Sequence, residues 1–567
     1  MAVFFNGRKL VTPTTASVIN DDAMQSRNLT LGNAVAYVGK AQGGEPAKVL
    51  SFGSPEQARS ILRGGELLDA VIKAFDPSAD TGAPHTVHAV RVNPAEQAAL
   101  TLKGADDKDS IVLRSRNYGM KDNLIAVKIE NASVSGKRIT VRCGNDYASS
   151  DNVGREAFSV RYEGEEETAS ITVSDSIVVL KAGTNTTEIS LSEFATVGAL
   201  VDKIESLPGY TAAILGRSDA KPALRGLDPA SEVDIKAGTV VRADLQAIVE
   251  WFNAENQQHV VAERAENGAT PSNCGLLYLG GGSDGNTTIA DWQSAFKVLQ
   301  TKDVQWITPI SADPAIHAMT DTHAVFCSTT LRRERRTICG TGINTSNEEA
   351  LKAARMLNSD RTSLVTIGYH DYDSSGKLVL FPAYMTAALA AAAFAGVSPG
   401  TPLTNKSFKA RGLERELLNP TETDILIEGG VFCIEATDDG YKWVQSISTW
   451  LGDRKYNKVE QSCGAALDYT VRSVREAVDI LRGQKGNPLV LSRAASIAES
   501  TLRVLARAEP QGPGVLAGDA QSPAYRNISA TLEGDVTRLQ FECSPVIPNN
   551  YILVTVYAVP YSGSVSV

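Results

Sequence analysis

"YMTAALAAAAFAGVSPGTPLTN" (residues 384–405) is a stretch crowded with alanine that runs into a turn and a polar segment. A membrane-spanning helix needs about 20 mostly apolar residues, and the apolar run at 385–397 is too short for that and rich in weakly hydrophobic alanine. Alanine has the highest helix propensity, and its small side chain lets another backbone come close. Pro399 and Gly400 end any helix that begins here. The stretch predicts a packed helix with close neighbours on more than one side, in its own chain or in another copy.

Strand-like and helix-like segments alternate around this helix, between about residues 242 and 482. The segment "TTIADWQSAFKVLQTKD" (287–303) places Ile289, Trp292 and Phe296 on one helical face, and a strand-like "VQWITPI" follows it. Repeated units of this kind predict an α/β core: a mixed, largely parallel sheet with helices on both faces. In such a core the alanine helix lies against the sheet or its neighbours.

The apolar period changes to two between about residues 102 and 237. Segments such as "LIAVKIEN" (124–131) and "AFSVRYEG" (157–164) alternate apolar and polar residues and are separated by turn residues. This pattern is typical of an antiparallel β domain. We therefore divide the chain into an N-terminal arm, a first part of the α/β core, an inserted β domain, a second part of the core and a C-terminal arm, at residues 1–25, 26–101, 102–237, 238–545 and 546–567.

Both ends of the sequence contain short strand-prone runs outside the α/β body. "AVFFNGRKLV" (2–11) has an Asn-Gly pair, which favours a hairpin turn, and "YILVTVYAVPY" (551–561) is apolar and β-branched. An unpaired strand exposes its N–H and C=O groups and pairs with any available edge. The ends are thus candidate arms that add a strand to a neighbouring subunit, with the alternative that they pair within their own chain. The candidate arm residues are Val3, Phe4, Phe5, Leu10, Val11, Ile552, Val554 and Val556.

Composition excludes several classes of function. The chain has 567 residues, is 43% hydrophobic and carries a formal net charge of −10, which argues against broad nucleic-acid binding. The N-terminus has no charged region followed by an apolar one, so no signal peptide is predicted, and no segment is apolar enough for membrane insertion. The chain is expected to be cytosolic when made. Seven cysteines are scattered without a CxxC pair, which argues against a zinc site and predicts mostly reduced, buried thiols.

Residues 279–286, "LGGGSDGN", could cradle a phosphate, but the lysine that a phosphate loop places at the helix start is absent, and a strand-to-helix turn explains the glycines. Among the histidines, His317 and His323 lack metal-ligand spacing and are predicted to be core or surface residues. The basic run 332–336, "RRERR", is predicted to be a solvated or interface patch. "DYDSSGK" (371–377) is explained by a β-turn as well as by a cation loop. We therefore predict no enzyme, with no catalytic, cofactor-binding or metal-binding residues.

Several segments in order resemble the contractile tail sheath proteins of bacteriophages and related injection systems. The first α/β segment (34–75), the region around "SRNYGMKDNLIAVKIEN" (115–131), the glycine-rich turn and helix (277–300), the alanine helix and "LLNPTETDILIEGGVFCIEATDDGYKWVQSISTW" (417–450) are similar to that family. The resemblance covers most of the chain. It implies an α/β core that packs on a tail tube, an outward-facing β insertion and terminal arms that add strands to neighbours.

The resemblance further implies a structural protein of the virion, assembled in the host cytoplasm. Copies would form stacked rings, commonly six-fold, in a helical lattice around the tail tube, with baseplate and tail terminator proteins as further partners. Contraction would drive the tube through the host envelope for genome ejection, without a nucleotide or other cofactor. An odd number of thiols in a particle that leaves the cell permits a bond between chains, with Cys143 and Cys543 as the candidates. The alternatives are an oligomeric α/β enzyme with a β insertion, or a static shell or surface-array protein.

Overall fold

The structure, a computed structural model, describes residues 3–5, 8–10, 34–254, 257–265 and 269–563. At the N-terminus, β1 (Val3–Phe5) and β2 (Arg8–Leu10) pair antiparallel, with Val3 opposite Leu10. The strand pairing predicted for this end is therefore present as a local hairpin. Asn6, Gly7 and Val11 lie outside the described residues.

The α/β core begins with a buried strand and two short helices. Ser54 caps the first helix through the backbone N–H of Gln57, and Arg63 ends it in the left-handed conformation, before the break at Gly64 and Gly65. The elements of this part are β3 (Ala34–Gly39), β4 (Val49–Phe52), α1 (Pro55–Leu62), α2 (Glu66–Ala74) and β5 (Thr86–Arg91).

An antiparallel β region follows, as the period of two predicts. Its strands are β6 (Ala99–Lys103), β7 (Asp109–Ser115), β8 (Ile125–Asn131), β9 (Lys137–Cys143), β10 (Asp146–Val153), β11 (Glu156–Tyr162), β12 (Ala169–Val173), β13 (Ile177–Ala182), β14 (Asn185–Ser190), β15 (Tyr210–Ile214), β16 (Ala230–Asp234), β17 (Thr239–Arg242), β18 (Val260–Arg264) and β19 (Cys274–Tyr278). Its helices are α3 (Val197–Glu205) and α4 (Asp244–Asn253). Strand β18 pairs with β7, and β19 pairs with β8. The pairing thus continues past residue 237, our boundary from the sequence.

The β region contains two separate hydrophobic cores. One is built around Phe158, Leu180 and Leu200, from elements β11 to β17 and α3. The other is built by the strands before and after that unit, together with α4. The two crossings between the units lie side by side, because the N–H of Ala243 donates to the carbonyl of Arg155 at 2.8 Å. One β unit is therefore inserted within another.

The second part of the core restores the alternation of strands and helices. Its elements are α5 (Ile289–Leu299), β20 (Trp306–Pro309), α6 (Pro314–Thr329), β21 (Arg336–Gly340), α7 (Asn347–Leu357), β22 (Thr362–Val365), β23 (Tyr369–Tyr372), β24 (Leu378–Phe381) and α8 (Ala383–Ala395). The central sheet has the order β22-β21-β20-β3-β5-β4, and only β4 runs antiparallel to its neighbour. Alternate residues of β3 face opposite layers: Val35 and Tyr37 pack with α2 and α8, and Ala36 and Val38 with α5 and α6. The predicted mixed sheet with helices on both faces is present.

Helix α8, the alanine stretch, is buried at all 13 residues. Trp306 of β20 stacks on Phe394 at a ring-centroid distance of 4.3 Å, and the Tyr37 hydroxyl donates to the Ala388 carbonyl at 2.8 Å. A Cβ added to Gly340 of β21 would lie 2.2 Å from the Ala383 carbonyl oxygen, so the sheet and the helix meet backbone to backbone. The prediction of a packed core helix is confirmed. In no described helix do length and apolar content suffice for crossing a bilayer.

The chain closes with a small helical layer and a hairpin. Its elements are β25 (Ser407–Phe408), β26 (Gly412–Leu413), α9 (Thr421–Glu428), β27 (Ile434–Thr437), β28 (Gly440–Trp443), α10 (Tyr456–Val459), α11 (Gln461–Val478), α12 (Pro488–Leu505), β29 (Tyr525–Glu533) and β30 (Val536–Cys543). Strands β27 and β28 form a hairpin at the Asp439-Gly440 turn. Helices α11 and α12 form a hydrophobic cluster with one face of the β29–β30 hairpin.

Candidate assembly surfaces

The chain leaves the folded body at Asn550. The Asn550 side-chain N–H donates to the buried Glu460 carboxylate at 2.7 Å, and its side-chain oxygen accepts from the Thr404 hydroxyl at 3.2 Å. Burial raises the pKa of Glu460, and the amide donors at its carboxylate oppose that rise. Just upstream, the N–H of Val546 donates to the carbonyl of Val515 at 3.0 Å. The segment after Asn550 therefore starts from a fixed root.

Beyond this root, residues 551–563 form no strand and extend from the body. Ile552, Val554 and Val556, three of the predicted arm residues, are 77%, 79% and 82% exposed. No charged residue occurs from 551 to 567. An uncharged, apolar segment with free backbone groups is favourable only when another surface covers it. We predicted that this end either adds a strand to a neighbouring subunit or pairs within its own chain. Among the described residues, it forms no strand pairing within the chain.

The β29–β30 hairpin is complementary to this segment, because its strand edges have unpaired backbone groups that could accept a further strand. Its two strands pair only with each other in the part of the chain that the structure describes. Ile528, Leu539 and Phe541 pack one face of the hairpin against the buried Leu502 of α12. A supported hairpin with open edges can accept a further strand. The sequence signal for this hairpin is "ISATLEGDVTRLQFE" (528–542), in which two strand-prone runs flank a Gly-Asp turn.

At the other end, Val3, Phe4, Phe5 and Leu10 lie in the local β1–β2 hairpin. The structure describes the backbone of these four residues but not their side chains, and Val11 lies outside the described residues. The participation of these residues in contacts between subunits stays a prediction.

The basic run at 332–336, predicted to be a solvated or interface patch, is exposed only at Arg332 and Arg333. Arg335 and Arg336 are 1% and 4% exposed, because residues 334–336 lead directly into the central strand β21. The Arg336 side chain donates to the Asp468 carboxylate of α11 at 2.9 Å, and Glu334 pairs with Arg475 at 2.6 Å. These ion pairs tie the sheet to the C-terminal helical layer. A count of charges along the sequence cannot reveal them.

Arg335 is a buried cation held by neutral acceptors. It donates to the carbonyl of Leu299 at 3.4 Å, to the carbonyl of Lys302 at 2.9 Å and to the Nε2 of His323 at 3.1 Å. Burial lowers the pKa of Arg335, and burial together with the nearby Arg335 charge lowers the pKa of His323 to about 3. His317 is also buried, and both histidines are core residues, one of the two readings open from the sequence. The neutral imidazole thus helps a guanidinium to hold the end of α5.

The glycine-rich turn at 279–286 is a structural connection. Asp284 accepts a hydrogen bond from the fully buried Arg91 at 2.9 Å, and Gly282 exchanges hydrogen bonds with Asn123 at 2.8 Å. These contacts link the turn before α5 to strand β5 of the core and to the segment that precedes β8. Likewise "DYDSSGK" is the turn of the β23–β24 hairpin, where Asp373 accepts from Ser375 and Lys377. Throughout the described ranges, no three His, Cys, Asp or Glu side chains are grouped so that they could hold a metal ion.

All seven cysteines are free thiols in the single chain. Cys143 and Cys543, the candidates for a bond between chains, are only partly buried, as is Cys274. Burial raises the pKa of each of these three thiols, which reduces the reactive thiolate at neutral pH. The four other cysteines are buried and sterically unavailable to a neighbour.

The fold, with its largely parallel core and inserted β region, is similar to that of a solved sheath tail protein. A crystal structure of a sheath tail protein from Listeria innocua matches this fold with a TM-score of 0.56, covering 90% of this chain and 92% of that chain at 13% identity.

The sequence comparisons point to the same class. The chain is 28% identical to the tail sheath protein of Bacillus phage SP01, over 99% of this chain and 98% of the relative. It is 27% identical to a putative tail sheath protein of Enterococcus phage phiEF24C, over 97% of each. No protein-family model matches the chain. The chain is a homologue of phage tail sheath proteins, and the resemblance inferred from the sequence is confirmed.

Proposed function

We propose that this chain is the structural subunit of a contractile tail sheath, which polymerises around a tail tube and contracts to drive the tube through the host envelope. The end-to-end match to tail sheath proteins carries this proposal, because it includes the core, the β region and both ends. The exposed uncharged arm and the open hairpin support it. Both features are costly in a monomer and useful in a polymer.

In the finer arrangement that we propose, subunits form stacked six-fold rings in a helical lattice around the tube. The baseplate joins one end, and a tail terminator protein joins the other. Assembly takes place in the host cytoplasm, and the product is part of the virion. The energy for contraction is stored in the extended lattice, whose subunits repack into a shorter and wider state, so no nucleotide is needed.

The arms are proposed to link the subunits by strand addition. Residues 551–563 can span about 40 Å when extended, at about 3.3 Å per residue. That reach exceeds the length of the nine-residue strand β29. We propose that Ile552, Val554 and Val556 of one copy pair along an open edge of the β29–β30 hairpin of a neighbour, and that the N-terminal segment also joins a neighbouring sheet.

Strand addition suits a lattice that changes its shape. Main-chain hydrogen bonds between an arm and a hairpin do not depend on which side chains of the two bodies are in contact. The root at Asn550 fixes where each arm leaves its body. Links of this kind can persist while the side-chain interfaces between bodies are exchanged.

A disulfide between chains through Cys143 or Cys543 also stays a proposal. Cys543 ends strand β30, beside the edge that would accept an arm. An arm from a neighbour would bring that copy close to this thiol.

Electron microscopy of the expressed chain alone tests the proposed function. We expect long hollow tubes without added nucleotide or metal. The axial spacing between rings should take two different values when extended and contracted forms are compared. Persistent monomers at high concentration, or polymerisation that depends on ATP, would contradict the proposal. A single invariant ring spacing in both assembled particles and isolated tubes would favour a static shell.

A further inference from the structure

Helix α6 has an outer face without a charged residue. The face consists of Ala315, Ala318, Thr322, Val325, Phe326 and Thr329, all exposed and spaced at helical intervals. Val325 and Phe326 are 38% and 40% exposed. Asp321 is the one charged residue of α6, and its carboxylate accepts from the Thr362 hydroxyl at 2.5 Å.

The outer face of the neighbouring helix α7 differs from that of α6, because it carries charged residues. Helix α7 exposes Glu348, Lys352 and Arg355, the charges expected on a helix that faces water. An exposed helix face that is uncharged and mostly apolar indicates a surface that another protein covers.

Two free cations lie where this face ends. Arg332 and Arg333 follow α6 and are exposed. The Arg333 side chain donates to the carbonyl of Gln300 at 2.6 Å. Across the described chain, neither guanidinium has a carboxylate at ion-pairing distance. A partner for this surface needs an apolar centre with acidic groups beside it.

Helix α9 presents that chemistry on the same chain. Ile425 of α9 is 56% exposed, and Leu418, three residues before the helix, is 68% exposed. The carboxylates of Asp424 and Glu428 on α9 are exposed as well. Helix α9 contains no basic residue. Neither of the two carboxylates has an ion-pair partner among the residues that the structure describes.

We propose that the α6 face of one subunit, with Arg332 and Arg333, docks on the α9 surface of a second copy, with Asp424 and Glu428. The inference rests on the proposed function, since it assigns a contact within the proposed lattice. Apolar residues meet at the centre of the contact, and charges of opposite sign meet at its rim.

The positions of the two surfaces favour a contact that propagates. Helix α6 lies over the middle of the sheet, where Ile316 packs with Ile307 of β20. Helix α9 lies at the sheet edge, where Leu426 packs with Leu364 of β22. Helix α7 stands between them and bonds to α9 through Asn347 and Glu422 at 2.8 Å. Different patches that join head to tail produce rings or helices rather than closed dimers.

A charge exchange tests the pairing directly. Arg332→Glu with Arg333→Glu reverses one surface, and Asp424→Lys with Glu428→Lys reverses the other. We expect each double variant to lose tube formation, because like charges then face each other across the contact. The chain with all four substitutions should form tubes again. All four residues are exposed, and the melting temperature of the soluble subunit should stay within a few degrees.

Two further variants complete the test. Lys181→Glu with Lys203→Glu applies the same charge change to exposed residues of the β region and should leave tubes intact. Phe326→Ser should weaken polymerisation without any change of charge. Wild-type behaviour of either reversed pair, or four substitutions that do not restore tubes, would overturn the pairing. If the reversed variants polymerise normally but no longer bind a tail tube, the α6 face belongs to the tube instead. Failure of the wild-type chain and the lysine control to form tubes would contradict the proposed function itself.

Discussion

The buried His323 predicts a loss of stability in mild acid. In the fold, burial and the neighbouring Arg335 lower the pKa of this imidazole to about 3, from an ordinary value of 6.5. Below pH 6.5 the unfolded chain binds a proton at this residue and the folded chain does not. The stability that His323 contributes is therefore fully present above pH 6.5 and is lost progressively as the pH falls towards 3.

Each pH unit in this window costs about 1.4 kcal/mol. Between pH 7 and pH 5, His323 alone should lower the free energy of unfolding by about 2 kcal/mol. His323→Gln removes the titration and keeps an oxygen that can accept from Arg335. The variant should therefore lose about 2 kcal/mol less than the wild type over the same interval.

Denaturant unfolding of the soluble subunit at both pH values, followed by tryptophan fluorescence, measures the effect. His85→Gln is the matched control, because His85 is exposed, and it should keep the pH dependence of the wild type. An equal loss of stability in His323→Gln and the wild type would refute the argument. That result would mean that the imidazole is charged in the fold or that Arg335 moves away from it.

Three further predictions concern the terminal arms, the inserted β unit and the cysteines. Removal of residues 1–21, or of the chain from Tyr551 onward, should leave a folded, soluble subunit that forms no tubes by light scattering and microscopy; normal tubes from both truncations would exclude the arms as links. Excision of 155–243, with Gly154 joined to Asp244 by a short linker, should leave the rest folded with an unchanged circular dichroism transition, since the excised unit has its own core; an unfolded product would mean that the two β units depend on each other. Non-reducing gels of intact particles, with thiols alkylated during lysis, should show a dimer band that Cys143→Ser or Cys543→Ser removes; purely monomeric bands would end the disulfide proposal.

The sequence predicted the elements that depend on local pattern. The alanine helix, the alternation of strands and helices in the core and the period-two strands were all predicted, because helix propensity and periodicity act over a few residues. The two-level nesting of the β region was not predicted. It depends on strands β18 and β19 returning to β7 and β8, which are more than 140 residues earlier in the chain.

The candidate surfaces likewise combine features that are visible in the local sequence with features that depend on distant residues. The apolar, uncharged character of residues 551–561 is visible in the sequence and led to the prediction of an arm, and these residues are exposed in the structure. The root at Asn550 depends on Glu460 and Thr404, which are distant in sequence. For a related reason the sequence did not separate the buried residues of the basic run at 332–336 from the exposed ones. Only the fold shows that Arg336 lies against Asp468 in the interior, while Arg332 and Arg333 remain outside.

The packing of the alanine helix suggests that the core of the subunit stays rigid during contraction while the arms keep subunits connected. Gly340 meets Ala383 backbone to backbone, and Trp306 stacks on Phe394, so neither layer can slide without opening a cavity or a clash. Close-packed cores deform little, and a large change in the lattice must therefore come from rearranged contacts between bodies. The C-terminal arm has the opposite character, since it leaves its root at Asn550 and its side chains are largely exposed. A rigid body on an extended link can rotate and translate while the link stays paired, which is the combination that a shortening tube requires.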